Sequence, residues 1–248
     1  MADKTSLLGK ILRLDVDNVD VVSDHLQFYS VPRNNPFVGN TSVRPEIYAF
    51  GARNMWRCSV DKETGYLYCG DTGDKTFEEI NWIQPGKNYG WNIYEGNTVV
   101  TARENETITN ELPVYSYRHG DMGHAVIGGY VYRGKAFQNL NGYYIFGDYV
   151  SGKLFSLEPP FNGTNSKRNL TMCEKNKCPC DSRDKPGLYL QSFSTDIEGE
   201  IYILTKQNGE ILQLIPPLND VTTCGSTRLL SNAFTMILVS VATLCCHT

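Results

Sequence analysis

Short runs of alternating apolar and polar residues recur along the chain with the same internal order. Each begins at a turn glycine, continues as an alternating aromatic and aliphatic stretch, and reverses at a turn that contains Gly or Asn, usually into a second stretch. Alternation with a period of two is typical of β-strands, and Gly or Asn between two such runs is typical of tight turns. The clearest cases are TGYLYCGDTG (64–73), NGYYIFGDYVSGKLFSL (141–157) and GEIYILTKQNGEILQL (199–214).

Another strand-like run precedes each repeat, so every repeat should supply three to four antiparallel strands. These preceding runs are WRCSVD, GGYVYRG and YLQSFSTD, and GKILRLDV (9–16) matches the second strand of the pattern. Sheets that cannot bury both faces alone stack around an axis in a β-propeller. We therefore predict an all-β fold, a β-propeller of four-stranded antiparallel blades, with Tyr66, Tyr144 and Tyr202 at equivalent positions of successive blades.

A β-sandwich is the alternative architecture, but it would not require one strand–turn–strand order to recur. The pattern extends over residues 1–217. A linker is predicted at 218–232 and a hydrophobic tail at 233–248.

The charges exclude one class of partner. The chain has 23 Lys and Arg residues against 27 Asp and Glu residues, mixed along its length, without a basic patch. Nucleic-acid binding is therefore not expected.

The cysteines indicate an oxidising compartment. Cys58 and Cys69 flank a turn of the form D-x-x-T-G, so a cross-strand disulfide is expected between them. Disulfides are also expected among a later group, for which three pairings are open. That group comprises Cys173, Cys178, Cys180 and Cys224. A zinc site is the competing interpretation of CEKNKCPC, but no second CxxC pair or HxxxH motif completes a tetrahedral ligand set.

Four N-x-S/T sequons lie in polar, turn-rich stretches, where glycosylation would be tolerated. They begin at Asn40, Asn105, Asn162 and Asn169. Together with the cysteines, they favour an extracellular or cell-surface location.

The tail AFTMILVSVATLCC (233–246) is shorter than the roughly 20 residues that a spanning helix needs. Small residues at 225–227, a short spacer and this apolar run fit a glycosylphosphatidylinositol attachment signal, which would anchor the protein to a membrane. A disordered or membrane-associated tail is the alternative.

Four ordered blocks resemble the hedgehog-interacting-protein-like family, and also the glucose/sorbosone dehydrogenases that bind pyrroloquinoline quinone. The blocks are GARNMWRCSVDKETGYLYCGDTG, FEEINWIQPGKNYGW, IGGYVYRG and LNGYYIFGDYVSGKL. The resemblance implies a six-bladed propeller, of which this chain would form about half, the C-terminal portion.

The resemblance to the quinoprotein dehydrogenases implies cofactor-binding roles for Arg53, Asn54 and Arg133. An Arg/Asn pair that ties a loop to its blade is the simpler interpretation of the first two.

The resemblance also implies calcium sites along GDTGDKTFEEIN, because calcium prefers carboxylate and carbonyl oxygens. The Gly73 and Asp74 carbonyls would face a calcium beside the cofactor, whereas Glu78, Glu79 and the Tyr89 carbonyl would hold a structural calcium. An exposed acidic turn is the alternative.

The departures from the dehydrogenase pattern argue against quinone binding. Ser151 and Ser156 stand where the dehydrogenases carry arginines, and the catalytic histidine belongs to a blade that is not visible in this sequence. His119 and His124, in RHGDMGH, are interpreted as loop histidines. No catalytic residue is assigned.

Two functions are consistent with these observations. The first is an extracellular binding module for a protein ligand, with a hedgehog-type morphogen as the family-level expectation. The alternative is a calcium-containing, quinone-dependent sugar or alcohol dehydrogenase. Loss of two cofactor-holding positions favours the binding module.

Overall fold

The computed structural model describes residues 3–18, 21–22, 25–26, 28–101, 108–120, 122–159, 167–174, 189–207, 209–215 and 235–240. Within these ranges the chain is almost entirely β-strand, with one turn of 3-10 helix at Gln138–Leu140. The strands are β1 (Lys10–Leu12), β2 (Val21–Val22), β3 (His25–Leu26), β4 (Ile47–Phe50), β5 (Met55–Val60), β6 (Leu67–Asp71), β7 (Phe77–Ile83), β8 (Tyr94–Glu95), β9 (Thr98–Val99), β10 (Tyr115–Arg118), β11 (Val126–Val131), β12 (Tyr144–Asp148), β13 (Leu154–Leu157), β14 (Lys167–Glu174), β15 (Leu190–Thr195), β16 (Ile201–Thr205), β17 (Ile211–Ile215) and β18 (Thr235–Ser240).

The strands form successive antiparallel units. Strands β1 and β4 make an N-terminal sheet, and β5, β6, β7 and β10 make the first blade. The second blade contains β11 to β14, and the third contains β15 to β18. Two further strand pairs, β2 with β3 and β8 with β9, lie in connections.

The second and third blades are also joined to each other. Strand β14 pairs in parallel with β18, so that the two blades form one eight-stranded sheet. Strand β18 lies inside the segment that the sequence assigns to an apolar tail, whereas the predicted linker lies outside the described residues. The described ranges contain no helix that is long and apolar enough to cross a membrane.

The blades share one register. In each blade the first residue of the first strand pairs with the last residue of the second strand. A register shift, or β-bulge, follows immediately in the first strand. The equivalent pairs are Met55 with Asp71, Val126 with Asp148, and Leu190 with Thr205. The same bulge in three blades confirms that the sequence pattern is a true structural repeat.

The predicted equivalence of the three tyrosines is wrong. Tyr66, Tyr144 and Tyr202 follow the turn glycines of their blades by one, two and three residues, respectively. Tyr66 is 44% exposed, whereas Tyr144 is 1% exposed in the blade interior. A shift of one residue moves a side chain to the opposite face of a strand, so these tyrosines do not share one position.

Hydrophobic cores lie between neighbouring sheets. Tyr68 and Ile80 of the first blade pack with Tyr144 and Phe146 of the second. Ile145, beside them in β12, belongs to the core that the second blade shares with the third. Because the second blade buries both of its faces, the molecule is not a two-sheet sandwich. Sheets stacked in this way are the arrangement expected of propeller blades.

The expected disulfide between Cys58 and Cys69 is confirmed. The two residues lie directly opposite each other on β5 and β6, with their Cα atoms 4.1 Å apart. Cys173 lies in β14, and Cys178, Cys180 and Cys224 lie outside the described residues.

Two glycines allow close backbone packing around β11, one against the first blade and one within the second blade. A Cβ on Gly128, whose φ is +93°, would lie 2.7 Å from the Arg57 carbonyl oxygen in the first blade. A Cβ on Gly129 would overlap the Ile145 carbonyl oxygen in the neighbouring strand. The GGYVYRG motif is therefore explained by backbone packing.

We expect Gly129→Ala to lower the free energy of unfolding by about 3 kcal/mol, because the added methyl overlaps backbone that cannot move aside. Gly39→Ala is the matched control, since Gly39 has a φ of +84° but open space around its Cα. The control substitution should lower the free energy of unfolding by only about 1 kcal/mol, because alanine is strained in the left-handed backbone conformation. Urea unfolding followed by circular dichroism measures both values, and equal losses would contradict the packing explanation.

Candidate functional site

A buried carboxylate fixes the start of β5. Asp71, at the end of β6, is 4% exposed. It accepts the Arg53 backbone N–H at 3.0 Å and the Asn54 backbone N–H at 2.6 Å. The Arg53–Asn54 pair thus ties its loop to the blade through the backbone.

The Arg53 side chain is engaged by its own blade. Its guanidinium donates to the Thr72 carbonyl at 2.9 Å and to the Asp74 carboxylate at 2.8 Å. It also lies over the Trp91 ring, 5.3 Å from the ring centroid.

Arg53 borders a small cleft, which we call the acidic cleft. It brings together four residues to which the sequence assigned site roles, namely Arg53, Gly73, Glu79 and Tyr89. The remaining lining residues are Asp71, Trp91, Tyr94 and Glu95. Asp74 is close by, because its carboxylate pairs with Arg53.

Carboxylates make the cleft electronegative. Burial raises the pKa of Asp71 to about 6, against the effect of its two backbone donors. Burial and repulsion by Asp71 raise the pKa of Glu79 to about 7. Glu79 nevertheless accepts hydrogen bonds from the Asn81 side-chain amide and the Gly96 backbone N–H. Carboxyl groups that resist ionisation beside one another favour a bound cation.

Glu95 is a cleft residue that the sequence analysis missed. One of its carboxylate oxygens accepts four successive backbone N–H groups, from residues 74 to 77, at 2.6–3.2 Å. Desolvation acts to raise the pKa of Glu95, but these donors outweigh it and lower the pKa. The carboxylate therefore shapes the loop that carries Gly73 and Asp74. No local pattern marks this role, because Glu95 is about 20 residues away from the loop in sequence.

Glu78 does not belong to the acidic cleft. Adjacent residues of a strand point to opposite faces, and Glu78 faces the second blade. Its carboxylate is fully buried, accepts the Val126 N–H at 2.8 Å and lies 2.6 Å from His119 Nε2. Burial raises the pKa of Glu78 to about 8, and the charge of Asp148 adds to the rise. Glu78 and Glu79 are therefore not brought to one ion.

Asp148 repeats in the second blade the role of Asp71 in the first. It is fully buried and accepts the Ala125 N–H at 2.8 Å, directly before β11. It also accepts the Tyr117 hydroxyl at 2.7 Å and the backbone N–H groups of Val150 and Ser151.

The expectation for Arg133 needs correction. Its guanidinium makes two hydrogen bonds of 2.8 Å to Asp61 and an ion pair of 2.7 Å with Glu63. Asp61 follows β5, whereas Arg53 precedes that strand. A six-residue strand spans about 20 Å, so Arg53 and Arg133 lie at opposite ends of the blade and do not share one pocket.

The remaining predicted positions are scattered. Asn40 is exposed in a turn where its side chain accepts the Ser42 N–H. Asn105 and Asn162 lie outside the described residues, and Asn169 lies in β14. In the described part of the chain, no group of three or more His, Cys, Asp or Glu residues is placed to hold a metal ion.

Comparison with known proteins settles the family, because residues 1–213 match the Glucose / Sorbosone dehydrogenase family. The chain belongs to that family. Relatives include the HIPL1 and HIPL2 proteins of Arabidopsis thaliana, at 34% identity over 90% of this chain and 35% over 93%. Mouse Hedgehog-interacting protein is 26% identical over 84% of the chain.

Solved structures confirm the propeller. A glucose dehydrogenase aligns with a TM-score of 0.67 at 22% identity, over 88% of this chain and 56% of its own. The apo-form of the soluble aldose sugar dehydrogenase from Escherichia coli aligns with a TM-score of 0.62 at 24% identity, over 88% and 57%. These likenesses establish the fold. The chain spans 36% and 37% of the length of the two plant relatives.

Without bound cations, we expect stability to fall as the pH rises from about 5 to 8. Glu79 has a folded pKa of about 7 against 4.5 for the free group, so the folded state holds its proton over a range in which the unfolded state has lost it. Stability from this group is complete at low pH and is lost as pH rises to the folded pKa. Glu79→Gln should reduce the loss of unfolding free energy over this pH range by something on the order of 3 kcal/mol.

The exposed Glu198→Gln serves as control and should leave the slope unchanged. Urea unfolding at several pH values in a chelator measures the slope. A Glu79→Gln curve parallel to the wild-type curve would show that the cleft does not raise this pKa.

Proposed function

We propose that this chain is part of an extracellular or cell-surface propeller that binds a protein ligand, of the hedgehog type, without catalysing sugar oxidation. One observation carries the proposal. The two arginines expected to hold a quinone cofactor are separated and are both paired within the protein, Arg53 with Asp74 and Arg133 with Asp61.

The described residues do not fit pyrroloquinoline quinone. A quinone with several carboxylates needs available cationic donors. Among the described residues, Arg53 is the one cationic residue that lines the acidic cleft, and its donors already serve Thr72 and Asp74. Ser151 donates to the Met122 carbonyl, and Ser156 is fully buried in β13. The described residues therefore assign no role to the quinone.

The names of two relatives support the ligand class. The mouse and human Hedgehog-interacting proteins are each 26% identical over 84% of this chain, which spans 28% of their length. Propeller ligands are recognised by loops, so ligand identity depends on loops of the whole protein.

The extracellular setting is supported by covalent chemistry. The Cys58–Cys69 disulfide joins two neighbouring strands, and such bonds persist in oxidising compartments. The exposed sequon at Asn40 is compatible with a glycan.

We include calcium in the proposal, at the acidic cleft. Calcium would be held by oxygen atoms, from Glu79 and the carbonyls of Gly73 and Tyr89, all of which line the cleft. Glu78 is not among these residues, because it faces the second blade. Calcium would neutralise the repulsion between Asp71 and Glu79 and so stabilise the blade.

A dehydrogenase is the second candidate. Aldose sugar dehydrogenase YliI of Escherichia coli is 25% identical over 86% of this chain. Arg53 also lies at a cleft, over an aromatic ring.

The full-length protein, supplied with calcium, the quinone and aldoses, should show no reduction of a dye acceptor. The same preparation should bind a hedgehog-type ligand in surface plasmon resonance. Turnover that disappears in Arg53→Ala but persists in the exposed control Arg118→Ala would overturn the binding module and establish the dehydrogenase.

Asn40→Gln should remove one glycan from the protein expressed in secretory cells, because the side chain is exposed and its sequon lies in a turn. The mass difference before and after glycosidase treatment measures the loss. Asn34→Gln, at an exposed asparagine without a sequon, should leave the glycan mass unchanged. Secreted protein with unmodified Asn40 would contradict the prediction.

A further inference from the structure

Two histidines meet in the loop between β10 and β11. The rings of His119 and His124 have centroids 5.1 Å apart and planes inclined at 61°. Gly120 and Gly123 bridge each other through two backbone hydrogen bonds of 3.3 and 3.0 Å, which folds the loop back on itself. The backbone therefore brings the two imidazoles together.

His119 is held from behind by a buried carboxylate. Its backbone N–H donates to the Thr76 carbonyl at 2.8 Å, and its Nε2 lies 2.6 Å from a carboxylate oxygen of Glu78. The second oxygen of Glu78 accepts the Val126 N–H. Because Glu78 engages Nε2, Nδ1 is the ring nitrogen of His119 that remains for a metal ion.

Within the described residues, the other ring nitrogens of the two histidines are unpaired. No described residue makes a hydrogen bond to Nδ1 of His119 or to either ring nitrogen of His124. His124 is exposed, and the side chain of His119 is 15% exposed. A small ion can therefore reach both rings from solvent.

The spacing matches that of a shared metal ligand set. Two imidazoles that bind one zinc ion through nitrogen at about 2.1 Å have ring centroids roughly 5 Å apart when the angle at the metal is near tetrahedral. Histidines that bind metals commonly hold a carboxylate at their other ring nitrogen, as His119 holds Glu78 at Nε2. Calcium does not suit this site, because it prefers oxygen ligands.

We propose that His119 and His124 form a transition-metal site of the Zn²⁺ class, with Glu78 as the residue that positions His119. The chain supplies two nitrogen ligands, which leaves the remaining coordination positions open to water or to a carboxylate from a bound partner. This site is separate from the acidic cleft and does not depend on the proposed protein ligand. It gives Glu78 a role that differs from the expected calcium ligation.

Isothermal titration of the full chain with ZnCl₂ tests the proposal. The wild type should bind one ion, and His124→Ala should abolish that binding, with folding checked by circular dichroism. His25→Ala removes a histidine elsewhere in the chain and should leave binding unchanged. Glu79→Gln should also leave it unchanged, which separates this site from the acidic cleft. Co²⁺ should give visible absorption bands in the wild type but not in His124→Ala.

Glu78→Gln tests the positioning role. It should weaken Zn²⁺ binding by about 10–100-fold while the cobalt spectrum remains, because both nitrogen ligands are still present. Absence of Zn²⁺ binding in the wild type, or binding that survives His124→Ala, would overturn the site. An unchanged Zn²⁺ affinity in Glu78→Gln would refute the role of the carboxylate.

Discussion

The first and second blades depend on a buried carboxylate at the end of their second strand, where the third blade has Thr205. Asp71 and Asp148 each accept backbone N–H groups at the start of the first strand of their blade. A buried N–H without a partner costs about 1–3 kcal/mol, so this carboxylate determines where the strand begins. The same constraint makes Arg53 equivalent to His124, since each lies two residues before the residue that pairs with the aspartate. Arg53 of the acidic cleft and His124 of the proposed metal site therefore both lie just before the first strand of a blade.

Local chemistry was sufficient to predict the strands, and the Cys58–Cys69 bond followed from a turn between two strands. The register of Tyr66, Tyr144 and Tyr202 was not predictable, because the distance from a turn glycine to the paired part of a strand is set by packing against the next blade. The pairing of β14 with β18 was missed for a related reason. It joins segments that are more than 60 residues apart in sequence, and no local pattern reports such a contact.

Part of the site could be predicted by resemblance, since Arg53, Gly73, Glu79 and Tyr89 do line one cleft. Resemblance failed where strand geometry should have been applied. Adjacent residues of β7 point to opposite faces, so Glu78 and Glu79 could not share an ion. Arg133 follows β11, the first strand of the second blade, whereas Arg53 precedes β5, the first strand of the first blade. The two arginines therefore lie at opposite ends of their blades. The four N–H contacts of Glu95 depend on tertiary structure and have no sequence signal.

Strand β7 separates two kinds of cation chemistry. On one face, Glu79 adjoins carboxylates and carbonyls that suit a hard ion, and on the other, Glu78 supports a histidine that suits a softer one. On both faces the carboxylate accepts a backbone hydrogen bond, Glu79 from Gly96 and Glu78 from Val126. The fold and the cleft of this family member can therefore be explained by contacts within the blades. Arg53 is held by Asp71 through its backbone N–H and by Thr72 and Asp74 through its guanidinium, so contacts within its own blade are sufficient to fix its position.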